Sequence, residues 1–109
     1  MKTILDLSTW ARKEHFHFFR KFEEPFFGIT AKVDCTEAYA SAKNNEDSFF
    51  LSYLHKALVA ANNVEPFKYR ISDDEVYIYD EIHGSPTINR PDGTFGFSYI
   101  KYLPDFKKF

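Results

Sequence analysis

The sequence has little cysteine, no excess of basic residues and no long apolar run, and each shortage excludes a class of protein. Its single cysteine, Cys35, cannot form a disulfide within the chain, which fits a reducing compartment. Fourteen basic and sixteen acidic residues give a net charge of -2, so a nucleic-acid partner is not expected. No apolar run is long enough to span a membrane, and Asp6 interrupts the apolar start before a secretory signal develops. We therefore expect a cytoplasmic protein with no membrane partner.

Aromatic residues, in contrast, are abundant. Thirteen Phe and seven Tyr occur among 109 residues, and Phe alone has roughly three times its usual share. Such a composition predicts either an aromatic core or an aromatic interface. The length predicts a single domain over 1–109 with a modest core.

Local signals predict helices in the first two thirds of the chain. Thr9 is a good N-cap for a first helix over about 10–22. Apolar residues then alternate with polar ones from Phe27 to Val33, which predicts a half-buried strand. Two further helices are predicted over about 35–43 and, capped by Ser48, over about 48–62.

The last third predicts antiparallel strands joined by tight turns. Ser72–Glu75 and Pro91–Gly93 have the composition of hairpin turns, and Gly93 supplies the positive φ that the second turn needs. Helices followed by hairpins indicate an α+β fold. We expect a two-layer sandwich with helices packed on a mostly antiparallel sheet.

The densest chemistry lies between Trp10 and Phe19, where charges, imidazoles and rings are interleaved. That density suggests a helix buried on more than one side. The pattern Trp-x-Arg-x-Glu-His-Phe-x-x-Phe resembles the opening of the type-A chloramphenicol acetyltransferases. The resemblance continues through Gly28–Asp34, Ser48–Ala61 and Phe67–Asp80. It covers nearly the whole chain but only about the first half of the family pattern.

The resemblance implies acetyl transfer from acetyl-CoA to a drug hydroxyl, with a histidine as general base. In the family this histidine lies in His-His-x-x-x-Asp-Gly, in the C-terminal half. Here the histidines stand at 15, 17, 55 and 83, no two are adjacent, and Asp92-Gly93 follows His83 by nine positions. We therefore predict no catalytic residue. His15 and His17 are two apart and cannot form the i, i+4 pair that binds zinc, so no metal site is predicted.

The resemblance also implies a set of ligand-binding residues. Phe19 stands where the enzymes usually have Tyr, so a phenolic hydrogen bond is missing there, and Glu23 stands where the family tends to be apolar. The alternative for the rings is that they fill the core. Arg12 either holds a carboxylate of a ligand or another subunit, or forms a local ion pair with Glu14 or Asp6. The predicted ligand-binding residues are Arg12, Phe18, Phe19, Pro25 and Phe27.

Three functions are compatible with this pattern. The first is a non-catalytic protein that binds a drug-like or nucleotide-like molecule in an aromatic pocket at a subunit interface, with no cofactor. We expect a homo-oligomer, with a trimer favoured by analogy to the family. The second is an acetyl-CoA-dependent acyltransferase whose catalytic half is another chain or is missing from this sequence. The third is an assembly partner of a full-length relative.

Overall fold

Three helices and five short strands follow one another along the chain, and a computed structural model describes all 109 residues. The α+β class is therefore confirmed. None of the helices has the length and apolar character that crossing a membrane requires. The elements are β1 (Lys2–Ile4), α1 (Lys13–Phe19), α2 (Thr36–Asn44), α3 (Phe49–Asn62), a 3-10 helix (Glu65–Lys68), β2 (Tyr69–Ser72), β3 (Glu75–Tyr79), β4 (Thr87–Asn89) and β5 (Phe95–Phe97).

The strands form two separate antiparallel sheets. In the first, β3 lies between β1 and β2, and the β2–β3 hairpin closes with Ser72 opposite Glu75. The turn residue Asp73 has a φ of 54°, a left-handed conformation that Asp tolerates better than most residues. In the second sheet, β4 pairs with β5, and Gly93 has the predicted positive φ, 86°. Both predicted hairpins are confirmed.

Helix α3 begins and ends where its sequence predicts. The Ser48 hydroxyl accepts a hydrogen bond from the Leu51 N–H at 3.2 Å and so caps the helix. Its end is fixed by Asn62, whose Nδ2 donates to the Ile82 carbonyl at 3.1 Å while its Oδ1 accepts from the Ile82 N–H at 2.9 Å. An amide can do both because it carries a donor and an acceptor. Asn62 thereby ties α3 to the segment that follows β3.

The buried core is small for the length of the chain. Only eight of 109 residues are buried, and the radius of gyration is 17.4 Å, against about 13 Å for a compact domain of roughly this length. Val76 in β3 is the most enclosed side chain, 2% exposed. Much apolar surface is consequently left in contact with water.

Two predicted elements differ from those observed. The first helix spans only Lys13–Phe19, because Thr9 does not cap it: the Thr9 hydroxyl donates to the Asp6 carbonyl at 3.4 Å instead. The strand predicted over 27–33 is absent. Residues 23–34 make no backbone–backbone hydrogen bond, since no other strand of these 109 residues lies beside them, and a strand needs a neighbour to pair with.

Three aspartates stabilise turns by hydrogen bonds within the sequence pattern Asp-x-Ser/Thr. In each, one carboxylate oxygen accepts both the hydroxyl and the backbone N–H of the residue two positions on. The hydroxyl bond and then the N–H bond lower the pKa of each carboxyl below its usual value. The pairs are Asp6–Ser8, Asp34–Thr36 and Asp92–Thr94.

Shortening the most enclosed side chain tests the core. We expect Val76→Ala to lower the free energy of unfolding by on the order of 2 kcal/mol, because it leaves a cavity that the sheet cannot close. The matched control is Val33→Ala, since Val33 is 77% exposed. Urea denaturation of both variants measures the difference, and equal losses would contradict this placement of the core.

The aspartate turns predict a pH dependence. Because their folded-state pKa values are lowered, the three carboxyls stabilise the fold fully above the unfolded value of about 3.9 and lose that contribution as pH falls through the folded values. We expect Asp34→Asn, which keeps the acceptor oxygen, to make the slope of unfolding free energy against pH shallower in acid. Denaturation between neutral and acid pH measures it, and an unchanged slope would refute the role of Asp34.

Candidate functional site

An open cleft lies between α1 and the segment that follows that helix. Its volume is about 480 Å³, within the range of roughly 300–1,000 Å³ typical of small-molecule sites. Six of its ten lining residues are apolar. The lining consists of Trp10, Arg12, His15, Phe16, Phe19, Phe22, Glu24, Pro25, Phe26 and Phe27.

The floor of the cleft is anchored to the fold. Phe16 is 9% exposed and lies 5.9 Å from Trp10 between ring centroids. Trp10 in turn meets Tyr69 of β2 edge to face, at 5.9 Å. These separations are typical of favourable aromatic pairs, so the rings of the floor hold α1 against the first sheet.

Arg20, the residue directly after α1, supports the same floor. Its guanidinium lies 5.2 Å from the centroid of the Phe16 ring and forms an ion pair with Asp74 in the β2–β3 turn. The cation-π contact and the ion pair each contribute modestly. Together with the contact between Trp10 and Tyr69, they join the α1 region to strand β2 and to the β2–β3 turn.

The rim of the cleft is exposed. Phe26 and Phe27 are 87% and 91% exposed, and they belong to the segment 23–34 that makes no backbone–backbone hydrogen bond. Phe19 and Phe22 are about half-exposed and lie 5.2 Å apart between centroids. The floor of the cleft therefore packs against the first sheet, whereas its rim belongs to a segment that no backbone hydrogen bond holds in place.

The structure brings together four of the five residues predicted for ligand binding. Arg12, Phe19, Pro25 and Phe27 line the cleft, whereas Phe18 does not. Successive helical residues point in different directions, and Phe18 packs on the outer side of Phe19 at 5.0 Å with 63% of its surface exposed. The alternative that these rings fill the core fails for Phe27 and for Phe18, since both are largely exposed.

Arg12 contributes a positive charge to the cleft. The local ion pair considered for it is not formed, because the two salt bridges of the structure join the N-terminus to Asp80 and Arg20 to Asp74. Arg12 occupies the position just before α1 and lines the cleft at that end. Its guanidinium has no carboxylate partner within these 109 residues.

Six of the ten lining residues were not predicted to bind a ligand: Trp10, His15, Phe16, Phe22, Glu24 and Phe26. Trp10, His15 and Phe16 belong to the motif quoted above, and Phe22 and Phe26 to the aromatic excess, but nothing in the sequence marks them as lining one cleft. The acidic residue on the lining is Glu24, not its neighbour Glu23. No signal in the sequence separates the two, because both are acidic residues of the same segment after α1.

The histidines do not converge on the cleft. His15 lines it and is exposed. His55 is buried, with Nε2 at 2.9 Å from the Leu103 carbonyl, and His83 accepts the Tyr102 N–H on Nδ1 at 2.9 Å. Groups of three or more side chains able to hold a metal ion do not occur in the structure.

The fold and the site geometry define an α+β protein with an open aromatic cleft beside its first helix. The family model described as "Chloramphenicol acetyltransferase" matches residues 1–109. The chain belongs to the chloramphenicol acetyltransferase family.

Similar proteins agree with this assignment. A chloramphenicol acetyltransferase of a Klebsiella species is 29% identical over 108 residues, covering 98% of this chain and 49% of that relative. Chloramphenicol acetyltransferase 3 of Escherichia coli is 27% identical, covering 98% and 51%. A solved chloramphenicol acetyltransferase structure superposes with a TM-score of 0.90 at 42% identity, over 99% of this chain and 51% of that one. The chain thus spans about half the length of the relatives it matches.

Proposed function

We propose that these 109 residues bind a small, ring-containing molecule in the cleft and do not catalyse acyl transfer by themselves. The ligand class is drug-like or nucleotide-like. Chloramphenicol is the first compound to test, because the similar proteins are named for acetylating it. The residues that carry the proposal are Arg12, Phe19, Pro25 and Phe27, together with the rings of the floor.

The observation that supports binding most strongly is the concentration of exposed rings in one concave site. Phe19, Phe22, Phe26 and Phe27 are between 47% and 91% exposed and share one cleft. Removing apolar surface from water stabilises a complex by about 25 cal/mol per Å² before the costs of association are counted. A flat or ring-shaped ligand would bury surface from several of these rings at once.

The placement of the histidines supports binding without turnover. A general base must lie within hydrogen-bond reach of the hydroxyl it deprotonates. Of the histidines His15 alone lines the cleft, while His55 and His83 lie outside it and each uses one ring nitrogen on a backbone group. The family motif His-His-x-x-x-Asp-Gly does not occur in this sequence.

We further propose that the exposed wall is completed by a second copy in a homo-oligomer, with a trimer favoured by analogy. Two observations support an intersubunit site: the lack of backbone hydrogen bonds over 23–34, and the exposure of Phe26 and Phe27. Unpaired extended backbone and large apolar patches both favour association. The single cysteine supports a reducing, cytoplasmic location for such an assembly.

A second candidate is acetyl transfer, favoured by the half-length match to proteins named acetyltransferases. In this case acetyl-CoA is the donor and a separate polypeptide supplies the base. That base would take the proton of the acceptor hydroxyl as its oxygen attacks the thioester carbonyl, releasing the CoA thiol. The 109 residues would then supply the acceptor side of the site.

Binding can be measured with an intrinsic probe, since Trp10 is the single tryptophan and lines the cleft. We expect chloramphenicol to change its fluorescence saturably. We expect Phe19→Ala to weaken binding roughly tenfold, a loss of about 1.4 kcal/mol, because a half-exposed ring on the cleft wall is removed.

The control is Phe97→Ala, an exposed ring on β5 away from the cleft. It should bind chloramphenicol as the unaltered chain does. Saturable binding that Phe19→Ala leaves unchanged would overturn this assignment of the site, and the absence of any saturable signal would overturn the proposed function.

The two candidates differ in turnover. With the 109-residue chain, acetyl-CoA and chloramphenicol, we expect thiol release at the uncatalysed rate. Adding the separately expressed second half of a relative should leave that rate unchanged if the chain only binds, and raise it if the second candidate holds. Turnover by the chain alone would contradict both.

A further inference from the structure

The cleft places a carboxylate without an ion-pair partner among aromatic rings. Glu24 lines the cleft, is exposed, and takes part in neither of the two salt bridges of the structure. A free carboxylate is an unfavourable neighbour for a neutral apolar ligand. The bound ligand would displace water from the charged group without forming an ion pair or a hydrogen bond with it. No cation of the chain pairs with it, so a ligand that brings a cation can match its charge.

The rings of the cleft can receive that cation. Protein cations stack on Tyr77, Tyr79, Tyr39 and Phe16. No Lys or Arg of the chain stacks on the other five rings of the cleft. Ring faces attract a nearby ammonium through their quadrupole, and tryptophan does so most strongly. The five rings are Trp10, Phe19, Phe22, Phe26 and Phe27.

Arg12 does not cancel this preference. It stands before the first residue of α1, whereas Glu24 follows the last residue of α1 by five positions. The seven residues of α1 span about 10 Å along the helix axis. Arg12 and Glu24 line the same cleft but form no salt bridge with each other, so the carboxylate of Glu24 keeps its charge unpaired within the chain.

We infer that the cleft selects ligands with an alkylated or protonated ammonium group over neutral ligands of the same shape, with Glu24 as the counter-charge. This inference rests on the proposed function, since it names the ligand class of the same site. The ammonium lies beside Glu24 against the rings, and a hydrogen-bond acceptor elsewhere on the ligand pairs with Arg12.

Two probes of equal shape test the inference: para-hydroxyphenyl trimethylammonium and para-tert-butylphenol. They differ in a positively charged nitrogen replacing a neutral carbon. By isothermal titration calorimetry we expect the ammonium compound to bind the 109-residue chain roughly fivefold more tightly. Glu24→Gln should reduce the ratio to about twofold, because the rings remain but the counter-charge is lost.

The matched control is Glu14→Gln, on α1 but outside the cleft lining, and it should keep the fivefold ratio. Equal affinities in the unaltered chain would overturn the inference while chloramphenicol binding upheld the proposed function. A ratio that Glu24→Gln leaves unchanged would overturn the role of Glu24. Failure of both probes and of chloramphenicol to bind would overturn the inference and the proposed function together.

Discussion

Strand β3 is the element on which the rest of the structure depends. It pairs on one side with β1 and on the other with β2, and the carbonyl of its enclosed residue Val76 accepts the Leu5 N–H at 2.8 Å. Because α1 is held through Tyr69 on β2 and Asp74 in the β2–β3 turn, the position of the cleft floor follows from this one sheet. Loss of β3 pairing would expose Val76, the most enclosed side chain, and would release the floor of the cleft.

The two sides of the cleft are held in place unequally. Its floor, Phe16 and Trp10, is held by the hairpin, whereas its rim, Phe26 and Phe27, has no tertiary hydrogen bond to hold it. A site with one free wall must order that wall on binding, which costs conformational free energy that a rigid pocket avoids. Completion by a neighbouring polypeptide would remove this cost, and both proposed functions use such a neighbour.

Local signals in the sequence were enough to predict part of this structure. Helix α3 could be predicted because its cap, Ser48, lies within the helix's own sequence, and the second hairpin because Gly93 supplies its turn conformation. The strand predicted from Phe27 to Val33 is absent. Alternation of apolar and polar residues indicates which face of a strand is buried, but it does not supply a neighbouring strand to pair with. Of the residues that the resemblance implied for ligand binding, Arg12, Phe19, Pro25 and Phe27 lie on one cleft, and their role in binding stays a prediction. Phe18 and Glu23 lie off the cleft while their neighbours Phe19 and Glu24 line it, because the resemblance does not show which of two adjacent side chains points into the cleft.

We propose that a ligand binds between the anchored floor and the segment 23–34. Amide hydrogen exchange on the 109-residue chain, with and without saturating chloramphenicol, tests it most directly. Without ligand, amides of 23–34 should exchange at nearly the unfolded rate, since they make no backbone hydrogen bond. With ligand, the amides of Glu24, Phe26 and Phe27 should exchange more slowly, while those of β4 and β5 should not change. Protection that appears only outside α1 and 23–34 would contradict the account.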